Sequence, residues 1–363
     1  MSSFTFMTDP VFKLGLPNWL AYFLTFTGLA GVAASVLLYI YQCELIYPRT
    51  FPEGSRTDVA KPSDFDMKYT DETLITKDNV KLHTYIIILE NEEEAKAAPT
   101  ILYFHANAGN MGHRLPIAKV LYQKHRCNVV MLSYRGYGHS EGKPNEKGLR
   151  IDSQTLLDYV KSHPILRHTR LVAYGQSIGG AVAIDLVARN EDAFSGLMIE
   201  NTFLSLPKLI PSVMPMLRYV TFLCHQQWPS ESSIRHIVKT PLLFLAGEKD
   251  ELIPPSHMVA LHDLSETRAS KDFCKFSQGM HNDTCMQPGY FSAIREYLDK
   301  RIRRDDIEET PFIDSKRSSS NQTIETVDLD SDSEPYELVS GLADEHGKTH
   351  SFEVEELELD MED

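Results

Sequence analysis

The sequence predicts an α/β protein built on a doubly wound, mostly parallel sheet, with one membrane-spanning helix in front of it. Three observations carry that expectation. Short apolar runs alternate with helical stretches across the middle of the chain. Those runs lack period-2 alternation, the pattern of strands buried on both faces. An uncharged stretch from Leu14 to Cys43 precedes them. Helical connections between strands favour right-handed crossovers and a parallel sheet covered on both sides.

Within the uncharged stretch, Trp19–Ile40 has 22 residues, enough to cross about 30 Å of hydrocarbon at 1.5 Å per residue. Trp19 and Tyr22 at one end and Tyr39 and Tyr41 at the other fit interfacial aromatics. A cleaved signal peptide has a shorter apolar run and a small-residue cleavage site. The reading is therefore a single-pass anchor over 19–41, after an N-terminal segment 1–18 and before a Pro- and charge-containing linker, 42–66. Flanking charge, Lys13 on one side against Arg49, Arg56 and Lys61 on the other, leans towards a cytosolic C-terminal domain. The sequons Asn282–Thr284 and Asn321–Thr323 matter only for a lumenal one.

Strands are expected at Leu74–Thr76, Lys81–Leu89, Thr100–His105, Asn128–Tyr134, Arg170–Tyr174, Gly196–Glu200, Pro241–Ala246 and Asp272–Phe276. Helices are expected near Arg114–His125, Asn145–Ser162, Ile178–Arg189, Pro255–Leu264 and Tyr290–Arg301. Together they form one domain, 67–304, interrupted by a Pro-, Leu- and Met-rich segment within 202–240 that reads as a lid-like insertion or as an ordinary helix pair.

Charge is divided unevenly. The formal net charge is −15, but residues 305–363 hold 20 acidic and three basic residues, leaving the rest near neutral. The tail is expected to be disordered, its acidic–apolar end reading as a solvated segment or, alternatively, as a dock for a protein partner. Nothing in the body clusters Lys and Arg as nucleic-acid binding requires. Five scattered cysteines without CxxC or CxxH spacing argue against a zinc site and a disulfide framework. Cys43, at the end of the anchor, is a candidate for palmitoylation or an unmodified thiol. No cofactor is called for.

The chemistry concentrates at Gly175-Gln176-Ser177-Ile178-Gly179, directly after a strand and before a helix. This is a nucleophile elbow: the serine sits on a strained turn, and small residues two before and two after avoid collision with strand and helix. That architecture is the α/β-hydrolase fold, whose chain order is serine, acid, histidine. Asp250, in the loop closing an apolar strand, and His281, in the loop after the next strand, follow Ser177 in that order. Glu200, at the end of an earlier strand, is the alternative acid. Donors for an oxyanion are expected from the backbone N–H groups of Ile178 and Asn107. His105 reads as a loop brace. Gly138–Pro144 imitates a phosphate loop, but its glycines are too close and Pro144 replaces the required hydroxyl residue. A serine at the elbow excludes dehalogenase and epoxide-hydrolase chemistry, which needs an aspartate there.

The motifs FHANAGNMGHRLP, YRGYGHSEGKP, LVAYGQSIGGAVAIDLVAR, ENTFLSLP and HNDTCMQPGYF together resemble the group of α/β hydrolase domain-containing protein 13 over about residues 40–303 and the anchor. The resemblance implies a membrane-anchored serine hydrolase of type II topology with a Ser177–Asp250–His281 triad. The group's usual HGNAGN reads His105-Ala106-Asn107-Ala108-Gly109-Asn110 here. A left-handed backbone at Ala106 would cost about 1 kcal/mol. A more distant similarity is to the group of α/β hydrolase domain-containing protein 17, whose members remove palmitate from proteins. The expected substrate is a lipid ester or S-acylated protein at a membrane surface. The competing expectation is a catalytically silent scaffold recruiting partners through its tail.

Overall fold

A computed structural model describes residues 17–303. The acidic tail with its candidate dock, Asn321 and the first sixteen residues lie outside the described residues.

The eight strands are β1 Thr70–Ile75, β2 Lys81–Ile87, β3 Thr100–Phe104, β4 Asn128–Leu132, β5 Leu171–Gln176, β6 Gly196–Glu200, β7 Leu242–Gly247 and β8 Lys271–Phe276. They form one sheet in the order β1-β2-β4-β3-β5-β6-β7-β8. β2 pairs antiparallel with β1 and β4, and all later pairings are parallel. Every residue of β3, β4, β5, β6 and β7 is buried. Successive side chains on these strands alternate between two cores. Leu102, Val130, Ala173, Ile199 and Phe244 join one, while Ile101, Met131, Val172, Met198 and Leu243 join the other. A strand with both faces covered needs apolar residues at every position, which is why the sequence shows runs rather than alternation.

The helices are α1 Asn18–Ile46, α2 Glu92–Ala97, α3 Leu115–Lys119, α4 Glu146–Ser162, α5 Ile178–Arg189, α6 Leu206–Val213, α7 Ser230–Ser233, α8 Ser256–Leu264 and α9 Tyr290–Tyr297. α4, α5 and α8 cover the first core, and α3 and α9 the second. α1 is long and apolar enough to cross a membrane. It runs past the expected end of the anchor at residue 41, because its last turns pack on the domain. Gln42, the buried residue of α1, donates to the carbonyl of Leu223 at 3.1 Å and accepts from the N–H of His225 at 2.9 Å. At 29 residues it is about 43 Å long, more than a bilayer core requires.

Between β6 and β7 the chain forms α6, 3₁₀ turns at Pro215–Leu217 and Thr221–Leu223, and α7. Pro211 inside α6 and the prolines that follow keep these pieces short.

Candidate active site

Ser177 lies between β5 and α5 with φ 57° and ψ −122°, a left-handed backbone for a residue with a side chain. Such a conformation costs about 1–3 kcal/mol and is held only by its surroundings. Here the Ser177 N–H donates to the Glu200 carbonyl at 2.9 Å, and the Thr202 hydroxyl donates to the Ser177 carbonyl at 2.7 Å. The flanking glycines are required by contact. A Cβ on Gly175 would overlap the carbonyl of Gly179, and one on Gly179 would overlap the carbonyl of Phe104.

Asp250 and His281 come together because β7 and β8 are parallel neighbours whose following loops are stitched to each other. Glu248 N–H donates to Phe276 O and Lys249 N–H to Gly279 O, both at 2.9 Å. His281 Nδ1–H donates to Asp250 Oδ2 at 2.8 Å, with both side chains buried. The other carboxylate oxygen of Asp250 accepts from the N–H groups of Leu252 at 2.9 Å and Ile253 at 2.7 Å. That pair of bonds fixes the carboxylate plane and leaves one oxygen for the imidazole. The His281 loop is in turn tied to the elbow: Gln176 Nε2, one residue before the serine, donates to His281 O at 2.9 Å. Ser177 Oγ and His281 Nε2 are not hydrogen-bonded to each other in this arrangement. Contacts of this type tighten when substrate fills the site.

Glu200 is corrected as a candidate acid. Its carboxylate is fully buried, accepts from the hydroxyls of Tyr174 and Tyr290 at 2.6 Å each, and makes no bond with His281. Burial raises its pKa against the pull of the two hydroxyls.

The N–H of Ile178 is the first of α5 and has no intrahelical acceptor. The loop after β3 lies against the start of α5, since a Cβ on Gly179 would also meet His105 O at 2.8 Å. In that loop Asn107 is clamped through its side chain, which accepts from Tyr137 Oη at 2.8 Å and donates to Ile46 O, at the end of α1, at 2.5 Å. Its own N–H takes no acceptor among the described residues. The strain expected at Ala106 is not there. Ala106 has a negative φ, and the left-handed position is Gly109 at φ 77°. His105 is a brace: buried, bonded through Nδ1 to Ala106 O at 2.7 Å, and packed on Tyr134 and Tyr137. Burial holds its pKa down to about 3, so it is a neutral imidazole.

Sequence reasoning missed Asn201 and Glu251. Asn201, at φ 42°, donates to Thr284 Oγ1 at 3.0 Å and to the carbonyls of Met280 and His281, and accepts from Gly247 N–H at 2.8 Å. It therefore joins the ends of β6 and β7 to the histidine loop. Glu251 accepts from the His281 N–H at 3.0 Å. The only trace of Asn201 in the sequence is its place in ENTFLSLP. Among the described residues there is no cluster of His, Cys, Asp and Glu fit to hold a metal ion.

Sheet order, elbow and helical cover define the class: this is an α/β-hydrolase fold, and the family model described as "alpha/beta hydrolase fold" matches residues 99–220. Protein bem46 of Schizosaccharomyces pombe is 49% identical over 280 residues, covering 76% of this chain and 93% of that one. The uncharacterized membrane protein YNL320W of Saccharomyces cerevisiae is 40% identical over 262 residues, covering 72% and 90%. The α/β hydrolase domain-containing protein WAV2 of Arabidopsis thaliana is 36% identical over 292 residues, covering 76% and 94%. The chain belongs to this family of α/β hydrolase domain-containing proteins. Among solved structures, the Pyrococcus furiosus esterase Pf2001 superposes with a TM-score of 0.56 at 19% identity, covering 68% of this chain and 95% of that one, a likeness of fold.

Proposed function

We propose that this protein is a membrane-anchored serine hydrolase that cleaves esters or thioesters at a bilayer surface. The observation that carries the reading is the 2.8 Å bond from His281 to Asp250, on a histidine loop held by the residue preceding Ser177. A serine hydroxyl is a weak nucleophile until a base takes its proton, and an imidazole is the right base only when its other nitrogen is held by a carboxylate.

In the proposed cycle Ser177 Oγ bonds to the carbonyl carbon of the substrate while its proton passes to His281 Nε2. The negative charge on the carbonyl oxygen is received by the N–H groups of Ile178 and Asn107. Collapse of the tetrahedral species breaks the bond to the alcohol or thiol, which leaves with the proton from His281. A water molecule then gives a proton to His281 and its oxygen to the acyl carbon; the second tetrahedral species collapses by breaking the bond to Ser177 Oγ, which takes the proton back from His281 as the acid leaves. The Pyrococcus furiosus protein that shares this fold is an esterase, in keeping with this chemistry.

α1 serves as the single anchor, which keeps the site near lipid-borne substrates, whether lipid esters or S-acylated proteins. The family resemblance favours the type II orientation. In that case Asn282, which is exposed, carries a glycan: a glycosidase-sensitive band absent from Asn282→Gln supports it, and an unmodified protein places the domain in the cytosol.

The reading is tested with a fluorophosphonate probe on the full-length protein. The expected result is covalent labelling that Ser177→Ala abolishes. Folded protein that fails to label, or a Ser177→Ala variant that labels equally, overturns it.

A further inference from the structure

We infer that α1 is one wall of the substrate chamber, and that an acyl chain reaches Ser177 from the bilayer by lying between α1 and the α6 segment. The inference rests on the serine-hydrolase reading above and adds the route and the part of the substrate that is recognised.

A cavity of about 220 Å³ lies between the C-terminal turns of α1 and the segment after β6. Its walls are apolar: Leu38, Leu45 and Ile46 come from α1, and Leu209 and Leu217 from the facing segment. Asn107, one of its few polar lining residues, supplies the proposed oxyanion donor. The cavity therefore borders the loop that carries the proposed oxyanion donor, and the inferred path runs from it past Asn107 to Ser177, which does not itself line the cavity. The cavity's other end lies up the anchor, since Leu38 is eight residues from Ile46, or about 12 Å along the helix.

An apolar slot open to water would be a liability, but with α1 as the proposed anchor this one would face lipid. Neighbouring α1 side chains such as Val36, Leu37 and Ile40 are more than half or about half exposed, as a helix surrounded by lipid requires. The chemistry that fits an apolar chamber leading to an ester-cleaving centre is a hydrocarbon chain attached to the scissile carbonyl. A polar acyl group would lose its hydration along these walls without gaining a partner.

The two walls are also locked together by polar contacts at their base. Gln42 joins α1 to Leu223 and His225, Tyr47 Oη donates to Gln226 at 3.0 Å, and Asn107 holds the last carbonyl of α1. Through these bonds the anchor sets both the width of the chamber and the position of the oxyanion loop.

The experiment uses the full-length protein in phosphatidylcholine vesicles and two readouts. The first is a hexadecyl fluorophosphonate bearing a diazirine at the chain terminus. After labelling and irradiation, crosslinks are expected on α1 peptides containing Leu38 and on peptides from the segment containing Leu209–Leu217. Crosslinks confined to other peptides overturn the inference. The second compares palmitoyl with butyryl thioester turnover. Leu209→Trp and Leu38→Trp, which fill the chamber, are expected to lower the palmitoyl-to-butyryl ratio by about tenfold or more, whereas Ile75→Trp on the exposed edge strand leaves it unchanged. An unchanged ratio in both chamber variants, with fluorophosphonate labelling intact, overturns the chamber and leaves the serine-hydrolase reading standing. Loss of labelling from the wild-type protein overturns both.

Discussion

Two carboxylates stand near the candidate histidine, and their surroundings assign them different work. Asp250 is fixed by two backbone N–H groups and presents one oxygen to His281 Nδ1. Glu200 spends one oxygen on Tyr174 and Tyr290, across strands and onto α9, and the other accepts from Gln176 Nε2 at 3.4 Å. Asp250→Asn is expected to keep the fold and lower kcat by roughly 10⁴-fold, as loss of the correct imidazole tautomer does. Glu200→Gln is expected to retain kcat within about tenfold but to lose roughly 1–3 kcal/mol of stability, because a buried tyrosine hydroxyl loses its charged acceptor. Thermal melts and turnover of one acyl ester separate the two outcomes. Buried imidazoles set a second expectation. Burial holds His105 to a pKa of about 3 and His125 to about 4, against an ordinary value of 6.5. Between those values the unfolded chain binds protons that the folded chain refuses. Stability is therefore complete above pH 6.5 and falls as pH drops towards 4, by up to about 1.4 kcal/mol per unit for each group. Melting temperatures from pH 7 to pH 4.5 check this, and His125→Gln is expected to flatten the slope. The order serine, acid, histidine was legible because it is a property of strand order. Asn201 and Glu251 were not, since their bonds run between loops far apart in the chain and leave no local pattern.

Legibility also differed from element to element, for physical reasons. The central strands were found nearly to the residue because burial on both faces demands uninterrupted apolar runs. β1 was found only at its end: Thr70–Thr73 are polar because β1 is an edge strand with most of its residues exposed or half-buried. α2 was missed because Glu92–Ala97 has little apolar face, and it is held instead by Asn91 accepting from Glu94 N–H. The helix expected over Arg114–His125 is broken into a 3₁₀ turn at Met111–Arg114, α3, and a wider π turn at Val120–Lys124. Pro116 in its first turn is compatible with a helix start, so that division carries no composition signal. The elbow was the most legible element because its two glycines are imposed by backbone overlap rather than by preference. Ala106 shows the opposite case. A sequence comparison with HGNAGN suggests a missing glycine, yet the backbone there has no need of one, because Gly109 makes the turn.

At the scale of the whole molecule, the proposed function makes α1, the segment after β6 and the sheet edge one surface rather than tether, cover and enzyme. The outer side of that segment exposes Met216, Tyr219 and Phe222 at 86%, 73% and 79%, and Val213 beside them is nearly half exposed. Apolar side chains grouped in this way mark a surface that meets something other than water. Their neighbour is α1, which 3₁₀ turn Thr221–Leu223 touches through Gln42, so with α1 as the proposed anchor a bilayer is the surface nearest to them. Insertion of three such side chains to interfacial depth would fix the tilt of the hydrolase domain and turn the mouth of the α1–α6 chamber towards the acyl region. Met216→Asp combined with Phe222→Asp replaces two of these anchors by charges and touches neither Ser177, Asp250 nor His281. The double variant is expected to turn over a water-soluble butyryl ester as the wild type does, while its turnover of a palmitoyl ester embedded in vesicles falls by about tenfold or more, since each buried side chain of this size contributes roughly 1.5–3 kcal/mol. Equal loss on both substrates would instead assign these residues to packing within the domain, and no loss on either would remove them from any membrane contact.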